Sequence, residues 1–115
     1  MRVIGLTGSI GMGKSTASSM IKGFGIPVHD SDKVVHRALA VDGPAVNAIR
    51  RRFPEAYQFG QINRQKLGKL VFEDNSGVTD LEGILHPIVK HDRYRFFKRC
   101  RSQQIPLVVI DVPLL

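Results

Sequence analysis

The stretch "GLTGSIGMGKSTA", residues 5–17, decides the fold of this protein. A short run of apolar and β-branched residues leads into it, which is typical of a buried strand, and apolar positions at helical spacing follow from Lys14 onward. Residues 8–15 match the pattern G-x-x-x-x-G-K followed by Ser or Thr, in which backbone N–H groups surround an anion. Because this pattern stands between a strand and a helix, we interpret it as a binding site for a nucleoside triphosphate rather than as a flexible turn.

Each part of this loop has a physical task. Lys14 is placed to reach the β- and γ-phosphates, and the hydroxyl of Ser15 is a ligand for Mg²⁺. The helix that follows directs the positive end of its dipole at the phosphates. The predicted nucleotide-binding residues are Gly8, Ser9, Ile10, Gly11, Met12, Gly13, Lys14, Ser15 and Thr16.

The composition is that of an ordinary globular domain. The chain has 115 residues, of which 43% are hydrophobic and 23% are charged, and it forms one domain at most. No apolar run approaches the roughly 18 residues that cross a bilayer, so we expect no membrane partner. We also expect no signal peptide, because the N-terminus soon turns polar and glycine-rich. The single cysteine, Cys100, excludes an internal disulfide, and together these features predict a cytoplasmic protein.

The net charge of +7 suits a nucleic acid or a phosphorylated small molecule equally well. The basic residues cluster at 50–52 and between 90 and 101. A basic cluster on a helix is most often a solvated face, so the charge alone does not identify the partner.

The remaining pattern predicts an α/β fold. A second short strand at 26–30 completes a strand–helix–strand unit, which implies a parallel sheet, and a nearly all-apolar strand at 106–112 adds to that sheet. The break "FPEAYQFGQIN" at 53–63 interrupts the helical patterns of the middle region. The predicted helices of that region lie at 31–40, 44–53, 64–73, 78–84 and 87–102.

We therefore predict a P-loop NTPase-type parallel sheet flanked by helices, with a helical insertion that binds the substrate. The chain is then a single P-loop kinase domain, 1–115, in which residues 1–32 and 105–115 form the nucleotide-binding core and residues 33–104 form the acceptor-binding insertion. A covered sheet usually has about five strands, so we expect the C-terminal part of this fold to be absent from the chain.

Carboxylates end two of the predicted strands. Asp111 in "LVVIDVP" is either a turn residue or, as we expect, a group that acts on Mg²⁺ through water, because an unpaired acid among apolar neighbours is costly. Asp30 and Asp32 stand where the second strand meets the next helix, at the sheet edge where such folds bind ligands. One of them can cap the helix, and the other can accept the proton of the hydroxyl group that receives the phosphate.

Five blocks occur in a characteristic order: "GLTGSIGMGKST", "VHDSDKVVHR", "INRQKLGKLVF", "LEGILHP" and "VIDVPLL". The first is common to many P-loop enzymes, whereas the later blocks are jointly much more specific. Over essentially the whole chain, the series resembles the dephospho-coenzyme A kinases. The resemblance implies ATP and Mg²⁺ as cofactors, and the phosphorylation of the ribose 3′-hydroxyl of dephospho-coenzyme A, which is the last step of coenzyme A synthesis.

The resemblance also implies roles for the residues of the nucleotide-binding core. Asp32 matches the proposed catalytic base, and Lys14 lies in the matching ATP-binding loop, so catalysis is assigned to these two residues. Asp30 matches an aspartate that shapes the same corner. The resemblance implies Ser15 as a direct ligand of Mg²⁺, and Asp111, predicted from its position at the strand end, would act on the ion through water.

Three residues of the insertion match positions near the acceptor. Arg64 and His86 match directly, and His36 stands where many family members have arginine and others have histidine. Plainer interpretations stay open: Arg64 as a surface residue at a helix start, and His86 and His36 as packing or surface residues. For His29 and His91 we expect structural roles only.

The sequence departs from the family pattern in several places. Ser9 replaces a usual glycine, Asn63 replaces a frequent aspartate, and "GVTDLE" lacks a basic residue often found before its Leu-Glu pair. Family members also continue into further strands and an arginine-bearing lid. Because such arginines can contribute on the order of 10³ or more to the rate, we expect these 115 residues alone to be weakly active or inactive.

Two other functions remain open at this point. One is a P-loop kinase of nucleoside monophosphates or other small metabolites. The other is a non-enzymatic module that binds nucleotides or nucleic acid through its basic face. We expect dephospho-coenzyme A as the substrate and no nucleic-acid partner, and the sequence does not determine the oligomeric state.

Overall fold

The computed structural model describes residues 1–8 and 14–113. Three strands form a parallel sheet: β1 (Arg2–Gly8), β2 (Val28–Asp30) and β5 (Leu107–Pro113). In the described part of the chain the strand order is β1-β5-β2, so the strand that comes last in sequence lies in the middle. The parallel sheet and its flanking helices confirm the predicted fold class.

Five helices are described, and most begin where the sequence predicted. Their bounds are α1 (Lys14–Gly23), α2 (Ser31–Leu39), α3 (Val46–Arg52), α4 (Arg64–Glu73) and α5 (Gly77–Ser102). The chain divides into two compact units. The sheet unit comprises Met1–Lys33 and Asp92–Leu115, and the helical unit comprises Val34–His91. The boundaries between these units fall within α2 and within α5.

The core of the sheet unit is built around β5. Val108 and Val109 are 0% and 2% exposed, as expected of a central strand that is covered on both faces. Phe96 and Cys100, one helical turn apart on α5, are buried with Val108 in one cluster. These contacts fix the C-terminal part of α5 to the sheet.

The helical unit has its own apolar core. Ile49, which is fully buried on α3, stands one turn from Ala45 and one turn from Phe53, so one stripe of the helix faces inward. On α5 the partly buried residues that pack against this core recur at helical spacing: Leu81, Ile84, Leu85 and Ile88. The buried members of the core are Ala38, Ala45, Ile49, Phe53, Ala56, Ile62, Leu67 and Val71.

The predicted separate helices at 78–84 and 87–102 are wrong, because α5 runs through Pro87 without interruption. Proline lacks an N–H, so the helix forgoes one hydrogen bond there, to the carbonyl of Gly83. The apolar side chains on both sides of Pro87 pack against the same core, and this packing outweighs one lost bond. Local sequence signals overestimated the effect of the proline.

The segment 53–63, predicted only as a break, contains ordered structure. A 3₁₀ turn at Pro54–Ala56 leads into a hairpin of β3 (Tyr57–Gln58) and β4 (Gln61–Ile62), which pair antiparallel. Phe59 and Gly60 have φ of 55° and 77°, as both central residues of a type I′ turn require. Strands of two residues are too short to show a periodic pattern, which is why the sequence did not reveal them.

Candidate functional site

The junction of β2 with α2 separates the roles of its two aspartates. Asp30 Oδ1 accepts a hydrogen bond from the backbone N–H of Lys33 at 3.2 Å, which is the geometry of a helix N-cap. Asp32 lies in the first turn of α2 and is half-buried. The sequence left open which aspartate caps the helix. The structure gives that bond to Asp30.

A second carboxylate lies beside Asp30 in the sheet. In the register of the strands, Asp111 of β5 stands between Leu6 of β1 and Asp30 of β2. Residues at the same level of neighbouring strands direct their side chains to the same face, so Asp30 and Asp111 share a face of the sheet. Asp111 is only 4% exposed. Two carboxylates therefore meet near the carboxyl ends of these strands.

Two lysines accompany these carboxylates. The pKa of Lys22, in the last turn of α1, is lowered first by a hydrogen bond that only its neutral amine can accept from Lys33, and then by burial and by the positive charge of Lys33. The negative charges of Asp30 and Asp111 act on Lys22 in the opposite direction. Two lysines and two aspartates therefore lie close to one another at the strand ends, where the sequence predicts the catalytic residues.

The backbone on either side of the predicted phosphate loop has the required form. Gly8 is the last residue of β1, and Lys14 is the first residue of α1. Ser9, Ile10, Gly11, Met12 and Gly13 lie outside the described residues, and so do the side chains of Lys14, Ser15 and Thr16. Their nucleotide-binding roles stay predictions.

In the helical unit, two of the predicted acceptor contacts touch each other. Nη1 of Arg64 donates to Nδ1 of His36 at 2.8 Å, and Nη2 donates to the backbone carbonyl of His36 at 3.2 Å. Arg64 is the first residue of α4, and Asn63 caps that helix by accepting from the N–H of Lys66 at 3.1 Å. The guanidinium is thereby held at the surface, where an anion can reach it.

The third predicted acceptor contact, His86, is exposed on α5 within the helical unit. Its contact with an acceptor stays a prediction. Asp32 belongs to the sheet unit, whereas Arg64, His36 and His86 belong to the helical unit.

The sequence did not predict the hydrogen bonds made by the two residues next to Asp30, which are His29 and Ser31. His29, for which we expected a structural role, bonds through Nε2 to Oδ1 of Asp92 at 2.8 Å. Nη2 of Arg93 donates to Oγ of Ser31 at 3.3 Å. The alternation of β2 was the one available signal, because it sets His29 on the face opposite Asp30. Nothing local indicated that α5 would supply the partners.

Among the described residues no group of three or more His, Cys, Asp or Glu side chains forms a ready cation site. No helix in the described ranges is both long and apolar enough to cross a membrane.

Comparison with known proteins identifies the family. The family model for dephospho-CoA kinase matches residues 2–115. The chain belongs to the dephospho-CoA kinase family. Among curated members, the dephospho-CoA kinase of Paramagnetospirillum magneticum is 46% identical and that of Bradyrhizobium diazoefficiens is 42% identical, each over the whole chain. The chain spans about half the length of these family members, 54% and 57% respectively.

Two solved structures have the same fold as this chain. The crystal structure of a Thermus thermophilus protein superposes with a TM-score of 0.77 at 35% identity, covering 96% of this chain and 55% of that one. Dephospho-CoA kinase from Campylobacter jejuni superposes with a TM-score of 0.76, covering 96% of this chain and 56% of that one. Its identity is 20%, so it supports the fold alone.

Proposed function

We propose that this chain catalyses the ATP-dependent phosphorylation of the ribose 3′-hydroxyl of dephospho-coenzyme A. Membership of the family supports the proposal, and the observation that carries it is the arrangement at the β2–α2 junction. Asp30 is engaged in capping α2, and Asp32 lies one residue beyond the start of that helix. A half-buried carboxylate at a sheet edge is suited to accept a proton from a hydroxyl group.

In this mechanism Asp32, Lys14 and Asp30 have different roles. Asp32 orients the 3′-hydroxyl and accepts its proton as the bond to the γ-phosphorus forms. Lys14 would offset the charge that moves towards the leaving ADP. Asp30 holds the first turn of α2, and with it the backbone that carries Asp32.

ATP as the donor rests on the family, and Mg²⁺ rests on the chemistry of the donor atoms. Carboxylate and hydroxyl oxygens are ligands that Mg²⁺ prefers, and Asp111 is a buried carboxylate beside Asp30. Ser15, and Asp111 through water, are the residues that would hold the ion. When bound, Mg²⁺ offsets the negative charge of the β- and γ-phosphates.

The acceptor would be held by the helical unit. Arg64 presents a guanidinium whose Nη atoms are oriented by His36, and such a group suits the phosphates of dephospho-coenzyme A. His86 would add a contact from α5. The cytoplasm stays the predicted location of the reaction, on the grounds of the single cysteine.

The direct test is to incubate the chain with Mg²⁺, radiolabelled ATP and dephospho-coenzyme A, and to separate the products by chromatography. We expect labelled coenzyme A, formed slowly, and no label on nucleoside monophosphates offered instead. The variant Asp32→Asn is the matched control, because it preserves the shape of the side chain and removes its basicity. Transfer to nucleoside monophosphates alone would overturn the choice of acceptor.

A calorimetric titration tests binding separately from turnover. We expect dephospho-coenzyme A to bind and Arg64→Ala to weaken this binding, while ATP affinity is unchanged. If the chain is instead a non-enzymatic module that binds nucleic acid through its basic face, it should bind DNA or RNA tightly. That affinity should fall steeply with salt and should be the same in Asp32→Asn.

A further inference from the structure

Asp92 and Arg93, which are adjacent on α5, hydrogen-bond to the two residues on either side of Asp30. Asp92 accepts from His29, which precedes Asp30, and Arg93 donates to Ser31, which separates Asp30 from Asp32. We call these four residues, His29, Ser31, Asp92 and Arg93, the junction clamp. All four lie in the sheet unit.

The inner half of the clamp is buried. His29 and Ser31 are each 4% exposed, and the ring of His29 lies 5.3 Å from that of Phe96, centroid to centroid. A carboxylate oxygen can only accept, so Nε2 of His29 is the donor of this bond. Nδ1 of His29 is buried and has no hydrogen-bond partner among the described residues. The ring is therefore oriented by one charge-assisted bond and one aromatic contact.

The clamp does more than attach α5 to the sheet. Phe96 and Cys100 already pack with Val108, and that apolar contact provides the attachment. Buried polar pairs contribute little net stability compared with apolar residues of the same size. Such pairs fix the orientation of the groups that they join. Here both bonds are made by side chains, those of His29 and Ser31, which flank Asp30 directly in the sequence.

We propose that Asp92 and Arg93 are positioning residues for phosphoryl transfer, acting through His29 and Ser31 to orient Asp30 and Asp32. The proposal rests on the function proposed above. A base must stand within hydrogen-bond reach of the hydroxyl proton, and a displacement of about 1 Å can reduce the rate about 100-fold. Removing a clamp bond therefore lowers kcat, whereas the KM for ATP, which is bound by the phosphate loop, stays the same.

Turnover variants form the first arm of the test. We expect Asp92→Ala and Ser31→Ala to lower kcat about 10- to 100-fold with the KM for ATP unchanged. Asp92→Asn keeps an acceptor oxygen and should restore most of the rate. His91→Ala, an exposed neighbour on the same helix, is the control and should match the wild type. A kcat within twofold of the wild type in Asp92→Ala would overturn the proposal.

A double variant excludes simple unfolding. His29→Leu with Asp92→Leu retains apolar burial without the hydrogen bond, so we expect it to fold with a low kcat. Thermal unfolding by circular dichroism establishes the folded fraction of each variant. If kcat falls only in proportion to the loss of folded protein, the clamp has no positioning role.

Nuclear magnetic resonance gives a readout without turnover. In Asp92→Ala we expect the carboxyl ¹³C signals of Asp30 and Asp32 to shift and the amide of Lys33 to exchange faster, because the cap bond to Asp30 loosens. Unchanged signals overturn the clamp even if the wild type makes no coenzyme A. If Asp92→Ala shifts these signals but the wild type shows no turnover, the proposed function is wrong and the positions of the aspartates still depend on the clamp.

Discussion

The two units of the chain bury apolar surface to different extents. In the helical unit, residues from α2, α3, the hairpin and α4 enclose one another, with Ala45, Ile49 and Ala56 fully buried. In the sheet unit β5 is buried, whereas Val3 and Ile4 of β1 are 46% and 51% exposed. The sheet unit, which contains Asp30 and Asp32, therefore leaves apolar residues of β1 exposed, whereas the core residues of the helical unit are buried. Matched substitutions in the two units should therefore reduce stability by different amounts.

The largest effect is expected where the chemistry lies. Asp32→Asn should lower kcat about 10²- to 10⁴-fold, because the amide cannot accept the hydroxyl proton. Asp30→Asn should lower it far less, since asparagine caps a helix as well as aspartate does. Initial rates of coenzyme A formation provide the measurement. Equal losses in the two variants would contradict the division of roles at the junction.

The next largest effect compares two isoleucines in the two units. Ile49→Ala empties a fully buried site and should reduce the free energy of unfolding by about 2–5 kcal/mol. Ile4→Ala, on the half-exposed strand β1, should reduce it by about 1 kcal/mol. Urea unfolding followed by circular dichroism measures both. Similar losses would show that β1 is as well covered as α3.

A smaller effect is expected at the start of α4. Asn63 accepts from the N–H of Lys66, and Asn63→Ala should reduce the free energy of unfolding by about 1 kcal/mol. Asn63→Asp, which restores the aspartate frequent in the resembling family, should keep the cap. The same urea titration checks both variants, and an Asn63→Asp loss as large as that of Asn63→Ala would rule out capping.

The smallest effect is a pH dependence within the helical unit. Arg52 donates to Asp74 and to Asp80 at 2.7 Å each, and the hydrogen bond from Arg52 is the first cause that lowers the pKa of Asp74. A carboxyl whose pKa is lower in the folded state stabilises the fold above its ordinary pKa. This stabilisation is lost as the pH falls through the folded-state value.

We therefore expect the Tm difference between the wild type and Asp74→Asn to shrink as the pH is lowered from about 4, the ordinary range of an aspartate. The difference should be small, since the group is at the surface, and largest at low salt. Glu73→Gln, at the adjacent exposed position, is the control. A difference that is constant down to pH 2 would contradict the assignment.

Much of the fold was predictable because its signals are local. The strand before Gly8, the helix from Lys14 and the helix from Arg64 follow from apolar periodicity and capping residues. The sequence also placed Asp30 and Asp32 at a strand end. It failed at Pro87 and at the hairpin after Ala56, where packing against a core and a backbone turn outweighed local propensity.

The local chemistry of the chain was enough to predict a P-loop fold with catalytic carboxylates at a strand end, because a phosphate loop and a D-x-D junction each consist of neighbouring residues. Only the tertiary structure decided which aspartate caps α2 and which residues surround the pair. The partners of His29 and Ser31 lie 63 and 62 positions away, on α5. Contacts over such distances in sequence depend on how β2 and α5 pack, and no local pattern encodes that packing.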